Sequence, residues 1–184
     1  AAARLPIPAS AESQAACLDF IVERLRNWLL ESGERFDVVE AVVSAQGNNP
    51  ARASQAVRQL SAWIARPDWN RILPAYARCV RIIRSAGGAA AAAYQPLPDT
   101  EPAELELFAA LQTAEETLRQ LPGSRTPDDF LNAFLPMIPA VDRFFEAVLV
   151  MVEDEAVRLN RLALMGRIAV LAEGVADLAK LEGF

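Results

Sequence analysis

The sequence contains no histidine, a single lysine, Lys180, and only two cysteines, Cys17 and Cys79. Without histidine the chain lacks the usual general base at neutral pH, the histidine-activated serine and cysteine nucleophiles, and the usual zinc ligand sets. Both cysteines lie within apolar helical patterns, which is typical of buried free thiols in a reducing compartment. The composition argues against most hydrolytic and metal-dependent enzymes and predicts a cytoplasmic protein.

Long apolar runs are also absent. The longest, residues 147–152, is far shorter than the roughly 20 residues that cross a bilayer, so we expect no membrane partner. The start, Ala-Ala-Ala-Arg-Leu-Pro, lacks the basic and then apolar order of a signal peptide. It also lacks methionine, so we expect a piece of a longer chain.

The chain is rich in hydrophobic residues and in arginine. At 184 residues and 53% hydrophobic, it can bury the core of one domain or of two closely packed subdomains. The net charge of −6 argues mildly against a broad phosphate-binding surface. Its cations are nearly all arginine, however, and arginine suits the planar recognition of bases and phosphates. Composition alone leaves the function open.

Strand patterns are nearly absent, whereas helix start and stop signals recur along the chain. Asn49, Asp68 and Thr126 are predicted helix caps, and Gly174 is a point where the last helix softens or splits. We predict an all-α fold, a helical bundle of about seven or eight helices joined by short loops. The helices are expected at about 10–32, 36–46, 50–66, 69–86, 100–121, 127–135 and 141–152, and from 154 toward the C-terminus.

An alanine-rich stretch divides the predicted helices into two halves, 1–86 and 100–184. Residues 87–99 begin with two glycines and end among prolines, so we predict a flexible connection within a single helical domain. The diglycine follows a helix and lacks the Lys-Ser/Thr of a phosphate-binding loop. It is therefore not a nucleotide site.

The segment 153–165, EDEAVRLNRLALM, places polar side chains among apolar ones. Its acids fit a helix start, and Asp154 lies four residues before Arg158, which allows an ordinary ion pair. At 100° per residue, Arg158 and Arg161 share one flank of the helix, while Asn160 and Arg167 share another. Spacing leaves two interpretations open, a structural role or direct contact with a ligand.

Two further features allow the same pair of interpretations. Arg71 and Arg78 lie seven residues apart with Arg81 beside them, forming either a solvated face or a stripe that attracts an RNA backbone. Trp28, Trp63 and Trp69 are expected to pack in the core. Of the three, Trp69 is the best candidate for exposed base stacking.

The order of residues in 141–165, VDRFFEAVLVMVEDEAVRLNRLALM, closely resembles the C-terminal region of the bacterial glycyl-tRNA synthetase β subunit. That family reads Phe-Phe-Asp-x-Val-Met-Val-Met, a few acids, and Leu-Arg-x-Asn-Arg-Leu-Ala-Leu-Leu. Residues 20–26, 33–42, 77–83 and 175–181 are similar to the same family, although Ile82 stands where relatives often carry asparagine. Residues 155–158, Glu-Ala-Val-Arg, correspond loosely to the motif that names the DALR-type anticodon-binding domains.

The resemblance implies an α-helical anticodon-binding domain that is not catalytic on its own. Its implied partners are the anticodon arm of tRNA-Gly, the remainder of the β subunit and the α subunit. It implies no cofactor in this chain, with ATP and Mg²⁺ bound elsewhere in a parent glycine–tRNA ligase. The candidate RNA-binding residues are Arg158, Asn160 and Arg161, followed by Arg167, Arg78 and Arg81.

Two alternatives remain, a helical docking module of a larger assembly and the anticodon-binding domain of an arginyl-type synthetase. The surface distinguishes RNA binding from docking, because an arginine-lined concavity favours RNA and an exposed apolar patch favours a protein partner.

Overall fold

The computed structural model describes residues 10–88 and 93–184, and within those ranges all regular secondary structure is helical, without a β-strand. The prediction of an all-α bundle of seven or eight helices is confirmed. The α-helices are α1 Ala11–Glu31, α2 Phe36–Gln46, α3 Pro50–Ile64, α4 Trp69–Ser85, α5 Pro102–Gln120, α6 Pro127–Phe134, α7 Ile138–Ala147 and α8 Glu155–Val170. Short 3-10 turns cover Leu135–Met137 and Leu178–Lys180.

Half of the eight described α-helices, α1, α3, α6 and α8, begin at a side chain that accepts a hydrogen bond from the first turn. Asn49 accepts from the N–H of Arg52, and Asp154 accepts from the N–H of Val157. Thr126 forms a reciprocal capping box with Asp129. These oxygens satisfy amide groups that have no partner inside the helix, which explains why the sequence placed these starts correctly. The predicted cap Asp68 makes no such bond and instead pairs with Arg66.

The seventh helix differs from its predicted range of 141–152. Pro139 lies within the first turn of α7, where its missing N–H costs nothing, so the helix begins earlier. It ends at Ala147, and the chain continues as an irregular segment that starts in extended backbone at Val148. Val148 and Val150 are buried there while Leu149 and Met151 are exposed. This alternation buries both valines against the bundle. In a continued helix, residues two positions apart would point in nearly opposite directions, so the two valines could not both face the bundle.

The last helix is shorter than predicted, because α8 stops at Val170 rather than continuing toward the C-terminus. Gly174 adopts a φ of +70°, a left-handed conformation that reverses the chain. The tail then runs along α2, where Gln46 donates to the carbonyl of Val175 at 2.7 Å. The N–H of Asp177 donates to the carbonyl of Ala41 at 2.8 Å. The predicted softening at Gly174 is therefore a complete break.

One hydrophobic core contains residues from both predicted halves of the chain. Tyr76 of α4 lies at its centre, with its ring 5.5 Å from that of Phe130 and 5.7 Å from that of Phe134. Its hydroxyl donates to the carbonyl of Ala169 at 2.9 Å. Burial raises the pKa of Tyr76, so the phenol stays protonated and acts as a donor.

The predicted flexible connection lies partly outside the described residues, which omit 89–92. In the described part of this connection, residues 93–99, only Tyr94 is buried. The ring of Tyr94 is buried 4.7 Å from that of Phe108 on α5. Burial and the nearby Glu104 carboxylate raise the pKa of Tyr94.

Two predictions of burial, for Cys17 and Trp28, are wrong, as is one of exposure, and the geometry of α1 explains the first two. Cys17 and Trp28 are exposed, because α1 buries only Leu25 and Leu29. Trp69, expected to be the most exposed tryptophan, is partly buried against the core. Cys79 is buried as predicted, and burial raises its pKa to about 12.

Residues 11 to 20 are all exposed, including Phe20 at 62%. The apolar repeat of α1 therefore extends well beyond the part that packs on α2 and α3. None of the helices in the described ranges combines the length and apolar character that a membrane crossing requires.

Candidate nucleic-acid interface

Arg161, one of the first candidates, is buried in an ion pair that joins α8 to α5. Its Nε donates to Oε2 of Glu104 at 2.9 Å, and the two side chains are only 11% and 3% exposed. Its Nη1 donates to the carbonyl of Leu149 at 2.9 Å. Arg161 thus fixes both the helix packing and the extended segment between α7 and α8.

Arg158 fixes the turn in front of α8. Its Nη1 donates to the carbonyl of Val152 at 2.8 Å and to that of Glu153 at 3.2 Å. Asp154 caps the helix instead, so the ion pair that the spacing allowed is not formed among the described residues. Arg158 is half-buried and keeps its charge without a carboxylate partner.

Asn160 holds the chain that enters α5. Its side-chain amide donates to the carbonyl of Gln95 at 2.8 Å and accepts from the Gln95 N–H at 3.0 Å. The amide thereby reproduces a backbone pair, which consumes one donor and one acceptor of Asn160.

Arg167 and Arg78 each combine an ion pair with an aromatic contact. Arg167 binds both oxygens of Glu115, and its guanidinium lies 5.2 Å from the ring centre of Phe108. Arg78 donates to Asp142 at 3.3 Å and lies 4.5 Å from the ring centre of Phe145. Both side chains are partly exposed, so each pair can open toward solvent at one edge.

Arg81 is the freest of the six candidates. It is exposed, and its one described partner is the ring of Phe184, 5.6 Å from the guanidinium. The structure therefore gives Arg158, Asn160, Arg161, Arg167 and Arg78 contacts within the bundle and leaves Arg81 open. Direct contact with RNA by any of the six stays a prediction.

Sequence reasoning missed several arginines that have no carboxylate partner in the described ranges. Arg52 and Arg84 have no acid three or four residues away, which was a usable signal. Arg125 is followed by Asp128 and Asp129, but those accept from Trp63 and from Thr126. Within 10–88 and 93–184, the arginines without an ion pair are Arg24, Arg52, Arg58, Arg71, Arg81, Arg84, Arg125 and Arg158.

No group of histidine, cysteine, aspartate or glutamate in 10–88 and 93–184 is arranged to hold a metal ion. The described carboxylates cap helices, pair with basic side chains, accept hydrogen bonds from Ser61 or Trp63, or face solvent. The chemistry that this surface offers is binding through guanidinium groups, aromatic edges and exposed carboxylates.

These features define a class of protein, a small all-helical domain with arginines available for binding. The chain belongs to the DALR anticodon binding domain family, whose model matches residues 72–178. The predicted family resemblance is thereby confirmed, including the C-terminal segment on which it chiefly rested.

The chain is also similar to proteins described as "Glycine--tRNA ligase beta subunit". It is 39% identical to that of Anaeromyxobacter dehalogenans (strain 2CP-C) over 168 residues, which cover 90% of this chain and 23% of the relative. It is 33% identical to that of Edwardsiella ictaluri over 165 residues, 90% of this chain and 24% of the relative. The "Glycine--tRNA ligase, chloroplastic/mitochondrial 2" of Arabidopsis thaliana is 30% identical over 184 residues, 100% of this chain and 17% of the relative. The chain thus spans about a quarter of the length of its bacterial relatives.

Proposed function

We propose that this chain is the tRNA-binding domain of a glycine–tRNA ligase and that it contacts the anticodon arm of tRNA-Gly. The observation that carries this proposal is the match of 90% of the chain to ligase β subunits at up to 39% identity. The chain is not catalytic by itself. ATP, Mg²⁺ and glycine bind to other parts of a cytoplasmic synthetase, which includes the rest of the β subunit and the α subunit.

The mechanism follows from the chemistry of a single-stranded loop. An anticodon loop exposes base edges that a duplex hides. Arginine binds phosphate oxygens and base acceptors, and a carboxylate accepts from the amino group of cytosine, which occupies the last two anticodon positions of the tRNA that the family charges. An acidic domain can therefore read such a loop, because recognition depends on local charge and not on the net charge of −6.

Binding to tRNA-Gly transcripts tests this proposal. We expect the 184-residue chain to bind the native transcript, with affinity that falls as salt rises because counterions are released from the phosphates. Replacing each anticodon cytosine should weaken binding by about 1–3 kcal/mol, since one specific base contact is lost. Fluorescence anisotropy over a salt series measures both effects.

The control is a transcript with the same number of substitutions in the acceptor stem, which should bind like the native one. Equal affinity for the native and cytosine-replaced transcripts would contradict anticodon recognition by this chain. A failure to bind any transcript would contradict the tRNA-binding function itself.

A second role is favoured by the exposed apolar surface of α1 and the start of α2. Phe20, Trp28 and Phe36 are 62%, 53% and 66% exposed, and Leu18 and Ile21 lie on the same helix as the first two. Several large apolar side chains exposed on one helix and at the start of the next are typical of a surface that contacts another protein. We infer that this α1 surface docks on another part of the synthetase, which makes the docking hypothesis complementary to RNA binding.

The double variant Phe20→Ser/Trp28→Ser tests the docking role. We expect at least a tenfold weaker association with the α subunit and a β subunit that lacks this domain, measured by sedimentation, because apolar contact area is lost. Affinity for tRNA and the circular dichroism spectrum should stay unchanged, since both side chains are exposed. Leu105→Ser, at another exposed leucine, is the matched control. Undiminished association of the double variant would exclude α1 as the docking surface.

A further inference from the structure

Two surface openings meet at the turn that follows α8. The larger, of about 460 Å³, is lined by Arg52, Ser124, Arg125 and Val170 together with Glu173 and Gly174. The smaller, of about 290 Å³, includes Tyr76, Arg84, Asp177 and Phe184 and shares Glu173 and Gly174 with the first. The two openings adjoin at Glu173 and Gly174, which line both, and together they are here named the α8 groove.

The arginines of the α8 groove keep their charge available. Nη2 of Arg52 donates to the carbonyl of Arg125 at 3.1 Å, which positions the guanidinium, and its other N–H groups have no partner within the described part of the chain. Arg125 and Arg84 have no carboxylate partner among the described residues, and Arg84 lies 5.6 Å from the ring centre of Phe184. Glu173 lines the same groove and forms no ion pair with any residue that the structure describes, so its carboxylate is available to bind.

The groove offers apolar contacts beside these charges. Val170 is 54% exposed at the end of α8, and the ring of Phe184 is partly buried beneath Arg81 and Arg84. Nucleotide bases pack on such surfaces while arginines hold the phosphates, which is the pattern of single-strand binding. A free phosphate or a duplex backbone would gain nothing from Val170 or Phe184.

The conformation of Gly174 keeps Glu173 at the surface. A Cβ added at Gly174 would meet no atom within 4 Å, so glycine is needed there for its φ of +70° and not for space. Glu173 lies in the turn that follows the end of α8 at Val170, and its side chain is exposed between the two groups of arginines.

We propose that the α8 groove binds a single-stranded segment of the RNA. Arg52, Arg125 and Arg84 hold its phosphates, and Glu173 accepts a hydrogen bond from the exocyclic amino group of a base. The proposal rests on the proposed tRNA-binding function and assigns that function to residues other than the six predicted from the sequence.

The test compares two double variants that remove the same amount of charge. Arg52→Gln/Arg125→Gln removes both arginines that line the larger opening. The control, Arg119→Gln/Arg143→Gln, removes two exposed arginines that already pair with Glu116 and Glu106. For the groove variant we expect at least a tenfold loss of affinity for the tRNA-Gly transcript. The slope of log K against log salt should also decrease by about 1.4, or 0.7 for each lost single-strand phosphate contact. The control variant should bind within twofold of wild type with an unchanged slope.

Two further variants keep the test decisive if loss of the Arg52 hydrogen bond disturbs the fold. Arg84→Gln leaves that bond intact and should weaken binding at least threefold. Glu173→Gln should change the ratio of affinities for transcripts that differ in a single-stranded base, because the amide can donate as well as accept. Circular dichroism confirms folding.

The outcomes separate this inference from the function on which it rests. Wild-type binding with groove variants that behave like the control would overturn the assignment of the groove and leave the tRNA-binding function intact. A loopless RNA duplex that binds as tightly as the transcript, and loses as much affinity in the groove variants, would overturn the single-strand assignment. An absence of wild-type tRNA binding would overturn both proposals.

Discussion

Replacing Glu104 with glutamine should lower the free energy of unfolding by about 3–5 kcal/mol, because Arg161 would stay buried without a counter-charge. The side chains of Glu104 and Arg161 are only 3% and 11% exposed, and the pair is joined at 2.9 Å. A charge enclosed to this extent cannot recover its hydration without opening the contact between α5 and α8. Urea denaturation followed by tryptophan fluorescence measures the change.

The matched control lies two residues further along α5. Glu106→Gln removes one partner of the ion pair with Arg143, in which both side chains are about half exposed. Water screens this pair, so we expect no measurable change in the denaturation midpoint. Equal small losses in the two variants would show that the buried pair contributes no more than a surface pair. The double variant Glu104→Leu/Arg161→Leu should recover part of the loss, because it leaves no unpaired charge.

This result bears directly on the choice of RNA-contacting residues. A guanidinium that must leave Glu104 to reach a phosphate would cost the domain much of its stability, since folded domains are stable by only about 5–15 kcal/mol. An exposed arginine such as Arg84 can bind without that cost. The α8 groove is therefore a better candidate for RNA contact than the flank of α8 that carries Arg161, because its arginines can bind without breaking a buried ion pair.

Local sequence signals predicted the helices well wherever the interactions are local. Asn49 before Pro50 and Thr126 before Pro127 are start signals that operate within one turn, and both are correct. The failures depend on tertiary contact. The extended segment after α7 exists because Val148 and Val150 are buried, and α1 leaves Phe20 in solvent because no described element covers it.

The candidate site was harder to predict for the same reason. A helical projection groups Arg158 with Arg161, but it cannot show that Glu104, 57 residues earlier, neutralises only Arg161. Likewise Arg52 and Arg125 are 73 residues apart and meet only because α3 packs beside α6. The sequence alone was enough to identify the resemblance to an anticodon-binding domain. Which arginines are free to contact RNA could be decided only from the folded structure.

Replacing Tyr76 with alanine should lower the free energy of unfolding by about 3–5 kcal/mol, the usual cost of deleting a large aromatic side chain from a core. The ring contacts Phe130 and Phe134, and the hydroxyl bonds to Ala169, so one side chain of the first half holds three residues of the second. The two halves share one core, and we therefore expect a single cooperative transition at a lower midpoint. Thermal denaturation followed by both near- and far-ultraviolet circular dichroism tests this, because the two signals should coincide.

Tyr76→Phe provides the control, since it keeps the ring and removes only the hydroxyl. It should cost about 1 kcal/mol, the net value of one hydrogen bond. Two separate transitions in Tyr76→Ala, with the residues of α5–α8 still folded after the first, would contradict the shared core and would mean that the halves fold independently. The distinction matters for RNA binding, because the α8 groove draws Arg52 and Arg84 from one half and Arg125 and Glu173 from the other. A groove assembled in this way exists only while both halves are folded together.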